Sequence, residues 1–131
     1  INQKNGKKET PFYIACIKSN YKIVEILLNE KGDQIDVNQT DEYSNPLIMS
    51  VIGNSFESEK ILWILKNTKQ INLSQKDKGN RSIFHEVCLY SRFNTFESFW
   101  KDDRVNINEI DLNGDTPFHL ACRSSNDKIV N

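Results

Sequence analysis

No stretch of this chain approaches the roughly 18 consecutive apolar residues that a membrane-spanning helix requires. No basic segment followed by an apolar core stands at its start, as a secretory leader would. Charge of one sign is missing as well. The formal net charge is −1, which argues against a polyanionic partner and against a charged membrane surface. The phosphate-cradling patterns G-x-x-x-x-G-K-[ST] and G-x-G-x-x-G are both absent. Cysteine is scarce and odd in number: Cys16, Cys88 and Cys122. That count suits reduced thiols in an intracellular, cytoplasmic protein better than a disulfide framework. At 131 residues the chain is one modest domain by length.

What is present is a block that recurs. Residues 111–122 read D-L-N-G-D-T-P-F-H-L-A-C. Gly114 tolerates the positive φ of a tight turn. Thr116 can cap a helix through its hydroxyl, and Pro117 fits the first helical position, where its missing N–H costs nothing. Phe118, Leu120, Ala121 and Cys122 make the short helix apolar enough to be buried. Residues 77–88, D-K-G-N-R-S-I-F-H-E-V-C, repeat the block 34 positions earlier. A third copy starts at Asp41, with a hairpin tip read as one residue short before Pro46. A fourth covers residues 5–16, with Thr10-Pro11-Phe12 and Ala15-Cys16 in place. Extended apolar steps precede the later copies: Ile35-Asp36-Val37-Asn38, Ile71-Asn72-Leu73-Ser74 and Val105-Asn106-Ile107-Asn108.

A period near 33 with T-P-L-H-x-A is the signature of ankyrin repeats, and this chain resembles that family over essentially its whole length. The resemblance implies an all-α fold: an ankyrin-repeat solenoid of antiparallel helix pairs joined by β-hairpin loops. The repeats are expected at about residues 5–40, 41–76, 77–110 and 111–131, the last one partial. Neither end carries the polar outer face of a capping repeat, so the chain reads as part of a longer array.

Along the chain, a first helix is expected from about residue 11 to 18, then a turn in which Ser19-Asn20 replaces the usual glycine, Asn being the next best residue for the left-handed conformation. A second helix follows over about 21–29, with Ile23, Val24, Ile26, Leu27 and Leu28 as its packed face and Gly32 as its stop. The second repeat is expected to hold about three extra residues between its helices, over 53–58, ahead of a face of Ile61, Leu62, Ile64 and Leu65. In the third, Phe96, Phe99 and Trp100 have the spacing of a core face, while Tyr90 and Phe93 fall at the turn between helices. The cysteines share one repeat position and are expected to be buried.

Sites of chemistry do not emerge. His85 with Cys88 and His119 with Cys122 read H-x-x-C, but the pairs lie one repeat apart. Neighbouring helices pack 8–10 Å apart, too far for ligands about 2 Å from one zinc ion. Ser82, His85 and Asp77 are each accounted for by repeat position, with no oxyanion-hole motif beside them. No catalytic residue, cofactor or metal is expected, and no enzyme. The loop tips alternate in sign. Lys4, Lys7 and Lys8 are followed by Asp41 and Glu42, then by Lys76, Lys78 and Arg81, then by Asp111 and Asp115. A phosphate-tracking groove needs one sign along its length.

The resemblance therefore implies a scaffold or adaptor that takes a protein or peptide on the concave face of the solenoid. Nucleic acid, membrane insertion and a small-molecule substrate are not expected. The partner-binding residues it places there are Glu42, Tyr43, Lys78, Arg81, Leu89, Tyr90, Leu112, Asp115 and Arg123. Glu9, Ile17, Lys18, Ile52 and Ser124 fall on the same face. The alternative is an autoregulatory or structural segment packing on another domain of a larger protein, such as a kinase or channel. Nearest-neighbour interfaces dominate repeat-protein stability, and Ile129 and Val130 have no finished helix face to join. Extending the chain past Asn131 should therefore raise its melting temperature; an unchanged melting point would count against an unfinished repeat.

Overall fold

A computed structural model describes residues 2–53, 55–90 and 93–123 of the chain. Its framework is one five-residue loop made four times, at 5–9, 41–45, 77–81 and 111–115. In each, a single side-chain oxygen accepts the N–H groups two and four positions later. Asn5 Oδ1 holds Lys7 and Glu9 at 2.9 and 3.0 Å. Asp41 holds Tyr43 and Asn45 at 2.8 and 2.9 Å. Asp77 holds Gly79 and Arg81, and Asp111 holds Asn113 and Asp115, all at 2.9 Å. The main chain closes the same ring: the first N–H donates to the fifth carbonyl, and the fourth N–H donates to the first carbonyl.

This ring forces the fourth residue into the left-handed region. Lys8, Ser44, Asn80 and Gly114 have φ of 64°, 67°, 60° and 77°. The conformation costs a residue with a Cβ about 1–2 kcal/mol, and only Gly114 escapes that cost. The loop is so tight that no strand ladder extends from it. Among the described residues there is no strand, only an isolated bridge between Thr40 and Pro46. The expected β-hairpins are thus side-chain-anchored turns.

Two units make up the chain: Ile1–Val51 with Ser55–Ile71, and Ile52–Asn54 with Asn72–Asn131. In the first, α1 is Pro11–Ile17 and α2 is Tyr21–Lys31, continued by a 3₁₀ turn over Gly32–Gln34. Thr10 Oγ1 caps α1 by accepting the Tyr13 N–H at 3.1 Å, with Pro11 in the first turn. Asn20 Oδ1 caps α2. The left-handed residue of that turn is Ser19, φ 59°, and not Asn20, whose carboxamide is committed to the cap. α2 ends at Lys31 with Gly32 directly after it, as expected; Gly32 is right-handed (φ −53°) and opens the 3₁₀ turn. α3 is Leu47–Ser50 and α4 is Phe56–Lys66, capped by Ser55 Oγ. α2 packs on α1 and α4. Phe12, Cys16, Val24, Leu47, Ile48, Ile61, Leu62 and Leu65 fill the core between them.

In the second unit α5 is Ile83–Tyr90, α6 is Phe93–Trp100 and α7 is Pro117–Arg123. α5 packs on both α6 and α7. Ile83, Phe84, Val87, Cys88, Phe99, Leu120 and Ala121 are buried there. Phe84, Phe96, Trp100 and Phe118 form a cluster with ring centroids 5.3–6.5 Å apart.

Several expectations need correction. The loop at Asp41 is not short, since it closes on Asn45 like the others. Pro46 stands where Thr10, Ser82 and Thr116 stand, so it fills the cap position and leaves α3 without a side-chain cap. Nor are residues inserted before α4, which starts 15 positions after Asp41, where α2 starts 16 after Asn5. The connection is long only because α3 ends after four residues. On α2, Ile23 and Ile26 are exposed, because α1 and α4 cover only the stripe through Val24. Trp100 lines the aromatic cluster yet remains 42% exposed. Cys122 is exposed while Cys16 and Cys88 are buried. It sits one position past the Pro117, Leu120 and Ala121 face that α7 buries. Ser124, Ile129 and Val130 lie outside the described residues.

The shared anchor makes a clear prediction. Asp77→Ala leaves two backbone N–H groups without their charged acceptor and should cost about 2–3 kcal/mol. Asp77→Asn should cost far less, because Asn5 already holds the same loop. Lys78→Ala, at an exposed tip, should stay within about 0.5 kcal/mol of the parent. Denaturant midpoints of the three variants check the ranking.

Candidate functional site

The loop anchors leave the second and third positions of each loop pointing away from the frame. Glu42 and Tyr43 occupy them in the first unit, and both are exposed, Tyr43 by 63%. In the second unit Lys78 and Leu112 occupy them, also exposed, Leu112 by 74%. Tyr90 at the end of α5 is 58% exposed and Leu89 is half-buried. Phe93 at the start of α6 is exposed as well. Six of the nine residues assigned to partner binding are thus open to solvent: Glu42, Tyr43, Lys78, Tyr90, Leu112 and Arg123.

Arg81 and Asp115 are drawn into the frame of the second unit. Arg81 is half-buried, with Nε 3.4 Å from Asp111 Oδ2. Asp115 is buried, and both its oxygens accept from the Arg123 guanidinium at 2.8 Å. Two further bonds tie the loops of this unit together. Leu112 N–H donates to the Gly79 carbonyl at 2.9 Å, and Asn80 Nδ2 donates to the Ile110 carbonyl at 3.1 Å. An ion pair between Lys76 and Glu109 adds to them.

His85 joins the same loops from below. Its Nδ1 accepts the Ser82 N–H at 3.1 Å and is therefore unprotonated. Its Nε2 then carries the hydrogen and donates to the Asp115 carbonyl at 2.9 Å. Both ring nitrogens are spent, so this fully buried imidazole has no lone pair for a metal ion. Burial pushes the Cys16 and Cys88 thiols up to about 12, which keeps them out of thiolate chemistry. No cluster of three metal-ligating side chains occurs among the described residues.

The first unit is built differently, and here the sequence reading missed a feature. A cleft of about 660 Å³ opens between its two loops, lined by Lys7, Lys8, Glu9, Tyr13, Glu42 and Tyr43 among others. Tyr13 holds the position of His85 in its block. Its phenol is shifted upward by burial, then by the carboxylates of Asp41, Glu9 and Glu42. The departure from His at this position of an otherwise regular block was the available signal.

Residues 7–42 and 113–131 match the family model described as the ankyrin repeat, so those two stretches read as ankyrin repeats. Their all-α character is the one seen here: seven helices and no strand among the described residues. The chain is similar to the human transient receptor potential cation channel subfamily A member 1, at 37% identity over 46% of this chain and 6% of the channel. It is also similar to a probable serine/threonine-protein kinase of Dictyostelium discoideum, at 28% identity over 92% of this chain and 14% of the kinase. The chain thus spans a small part of both relatives. No helix among the described residues is long and apolar enough to cross a membrane.

Asp111 and Asp115 make stability acid-sensitive. Burial alone would raise the Asp111 pKa; the N–H groups of Asp115 and Asn113 and the Arg81 guanidinium outweigh it and hold the carboxyl below its usual range. The Arg123 guanidinium does the same for Asp115 against burial. A depressed folded pKa contributes stability that is complete above the unfolded value of about 3.9 and is lost as pH falls through the folded value. Thermal melts from neutral pH downward should therefore show stability falling below about pH 4. Asp111→Asn should flatten that fall while keeping the loop.

Proposed function

We propose that this chain is a protein-interaction module that binds a protein or peptide through the loop tips and first helices of its ankyrin repeats. The observation that carries this reading is the exposure of large apolar side chains on rigid turns. Leu112 and Tyr43 stand on loops fixed by four hydrogen bonds each, and Tyr90 closes a packed helix. Such side chains lose little conformational freedom on docking, and preorganisation of this kind favours affinity. Tyrosine and arginine are also the residues in which binding energy concentrates. Lys78, Arg81, Leu89, Asp115 and Arg123 surround Tyr90 and Leu112 in the sequence of the second unit with charges of both signs, which suits a polypeptide better than a polyanion or a small metabolite. We assign the module no catalytic step, and the cytoplasm as its compartment.

A second reading is favoured by the relatives. The matched segments belong to a channel and to a probable kinase, each far longer than this chain. The repeats would then dock on another domain of their own protein and regulate it.

Tyr90→Ala and Arg81→Ala should each weaken partner binding by about 1 kcal/mol or more. Glu25→Ala on α2, outside this surface, should change it little. Isothermal titration with a partner recovered by co-purification from the native cell reads the difference. Equal losses in all three variants would remove the assignment of this surface.

A further inference from the structure

The chain holds two Asn-Gly pairs, and its loops set them differently. Such a pair is open to imide closure, because glycine lets its own nitrogen approach the asparagine carboxamide without a Cβ in the way. Asn5-Gly6 takes the first and second positions of loop 5–9. Asn113-Gly114 takes the third and fourth of loop 111–115. In the later loop the Gly114 N–H donates to the Asp111 carbonyl at 3.0 Å, with φ at 77°. That nitrogen is thus built into the ring that closes the loop. In the earlier loop the ring draws on the N–H groups of Asn5, Lys7, Lys8 and Glu9, and Gly6 stands outside it. Gly6 is exposed, with nothing within 4 Å of where a Cβ would be.

The loop also readies the Asn5 carboxamide for attack at Cγ. Its Oδ1 accepts the Lys7 N–H at 2.9 Å and the Glu9 N–H at 3.0 Å. Two backbone donors on one oxygen stabilise negative charge that develops there, as in an oxyanion hole. Its Nδ2, the nitrogen that must leave, donates to Glu9 Oε1 at 3.2 Å. A carboxylate able to carry a proton therefore stands beside the leaving group. Among the four loop anchors Asn5 is the amide; Asp41, Asp77 and Asp111 hold the same place as acids.

We propose that Asn5 is a self-modification site, at which the loop promotes its own deamidation and converts its amide anchor into an acid. The Gly6 nitrogen bonds to Asn5 Cγ and loses its proton. The electron pair of the Cγ=Oδ1 bond moves onto Oδ1, then returns as the Cγ–Nδ2 bond breaks. Nδ2 leaves as ammonia, carrying the proton that Gly6 lost. Solvent water then opens the imide. Addition at Cγ gives aspartate, and addition at the main-chain carbonyl carbon gives isoaspartate. The aspartyl product fits the frame, since aspartate already anchors three loops in the same way. The isoaspartyl product lengthens the main chain by one carbon and breaks the five-residue ring. Either product adds a negative charge to the cleft wall that Gly6 and Glu9 share with Glu42 and Tyr43. The reaction needs no partner and so goes beyond the interaction reading above.

The test incubates the intact chain at neutral pH, once folded and once held in denaturant. Peptide mapping by mass spectrometry reads amide-to-acid conversion at Asn5 and at Asn113. In the folded chain Asn5 is expected to convert about tenfold or more faster than Asn113, and in denaturant the two rates should converge. Gly6→Ala puts a Cβ into open space, so its denaturant midpoint should match the parent. It should nonetheless slow conversion at Asn5 about fivefold or more, by holding the attacking nitrogen away from Cγ. Glu9→Gln should slow Asn5 without changing Asn113. Asn5→Asp should keep the cooperative unfolding transition of the parent. A folded Asn5 that converts no faster than in denaturant, or an Asn113 that keeps pace with it, overturns the proposal. So does an unchanged rate in Gly6→Ala, or loss of the unfolding transition in Asn5→Asp.

Discussion

Everything in this structure depends on one oxygen atom per repeat. Asn5, Asp41, Asp77 and Asp111 each place Oδ1 where two backbone N–H groups converge, and the loop that results fixes the entry of the next helix. Without that acceptor, five residues would have to hold a left-handed conformation at their fourth position on main-chain bonds alone. Three of the four residues held there carry a Cβ. The side-chain bond offsets a cost that glycine would otherwise be needed to remove.

The loops also set what the buried polar groups can do. His85 reaches from α5 to the carbonyl of Asp115, and Asp115 in turn takes Arg123. Asp111 joins the same group through Arg81. A buried carboxylate without partners would oppose folding; here each is hydrogen-bonded through both oxygens, and the second unit gains a polar network that links its loops to its helices. At the loops of the first unit the side-chain bonds run within each loop, Asn5 to Glu9 and Asn45 to Asp41. Its cohesion comes from α2 against α1 and α4, and from the apolar side chains between them.

Much of this was legible in the block itself. A residue able to present Oδ1, a capping hydroxyl five positions on and a proline or apolar residue after it are local chemistry, and local chemistry reads directly. Pro46 misled because proline is acceptable both just before a helix and in its first turn, so matching it to Pro11 and Pro117 invented a deletion. Burial was less legible. The run of apolar residues on α2 says that a face exists, but how wide a stripe is covered depends on α1 and α4, as Ile23 and Ile26 show. The cleft was not legible from either loop alone, since its lining residues come from two loops that lie 36 positions apart in the sequence.

The second and third positions of the loops have a different status from the first, fourth and fifth. Apart from a backbone contact such as that of Leu112, their side chains take no part in the frame. Gly6 and Lys7, Glu42 and Tyr43, Lys78 and Gly79, Leu112 and Asn113 already span neutral, acidic, basic, aromatic and aliphatic chemistry on one backbone. Selection can therefore rewrite these pairs without disturbing folding. Recognition in such a chain is free to diverge from copy to copy at a pace the scaffold beneath it does not share.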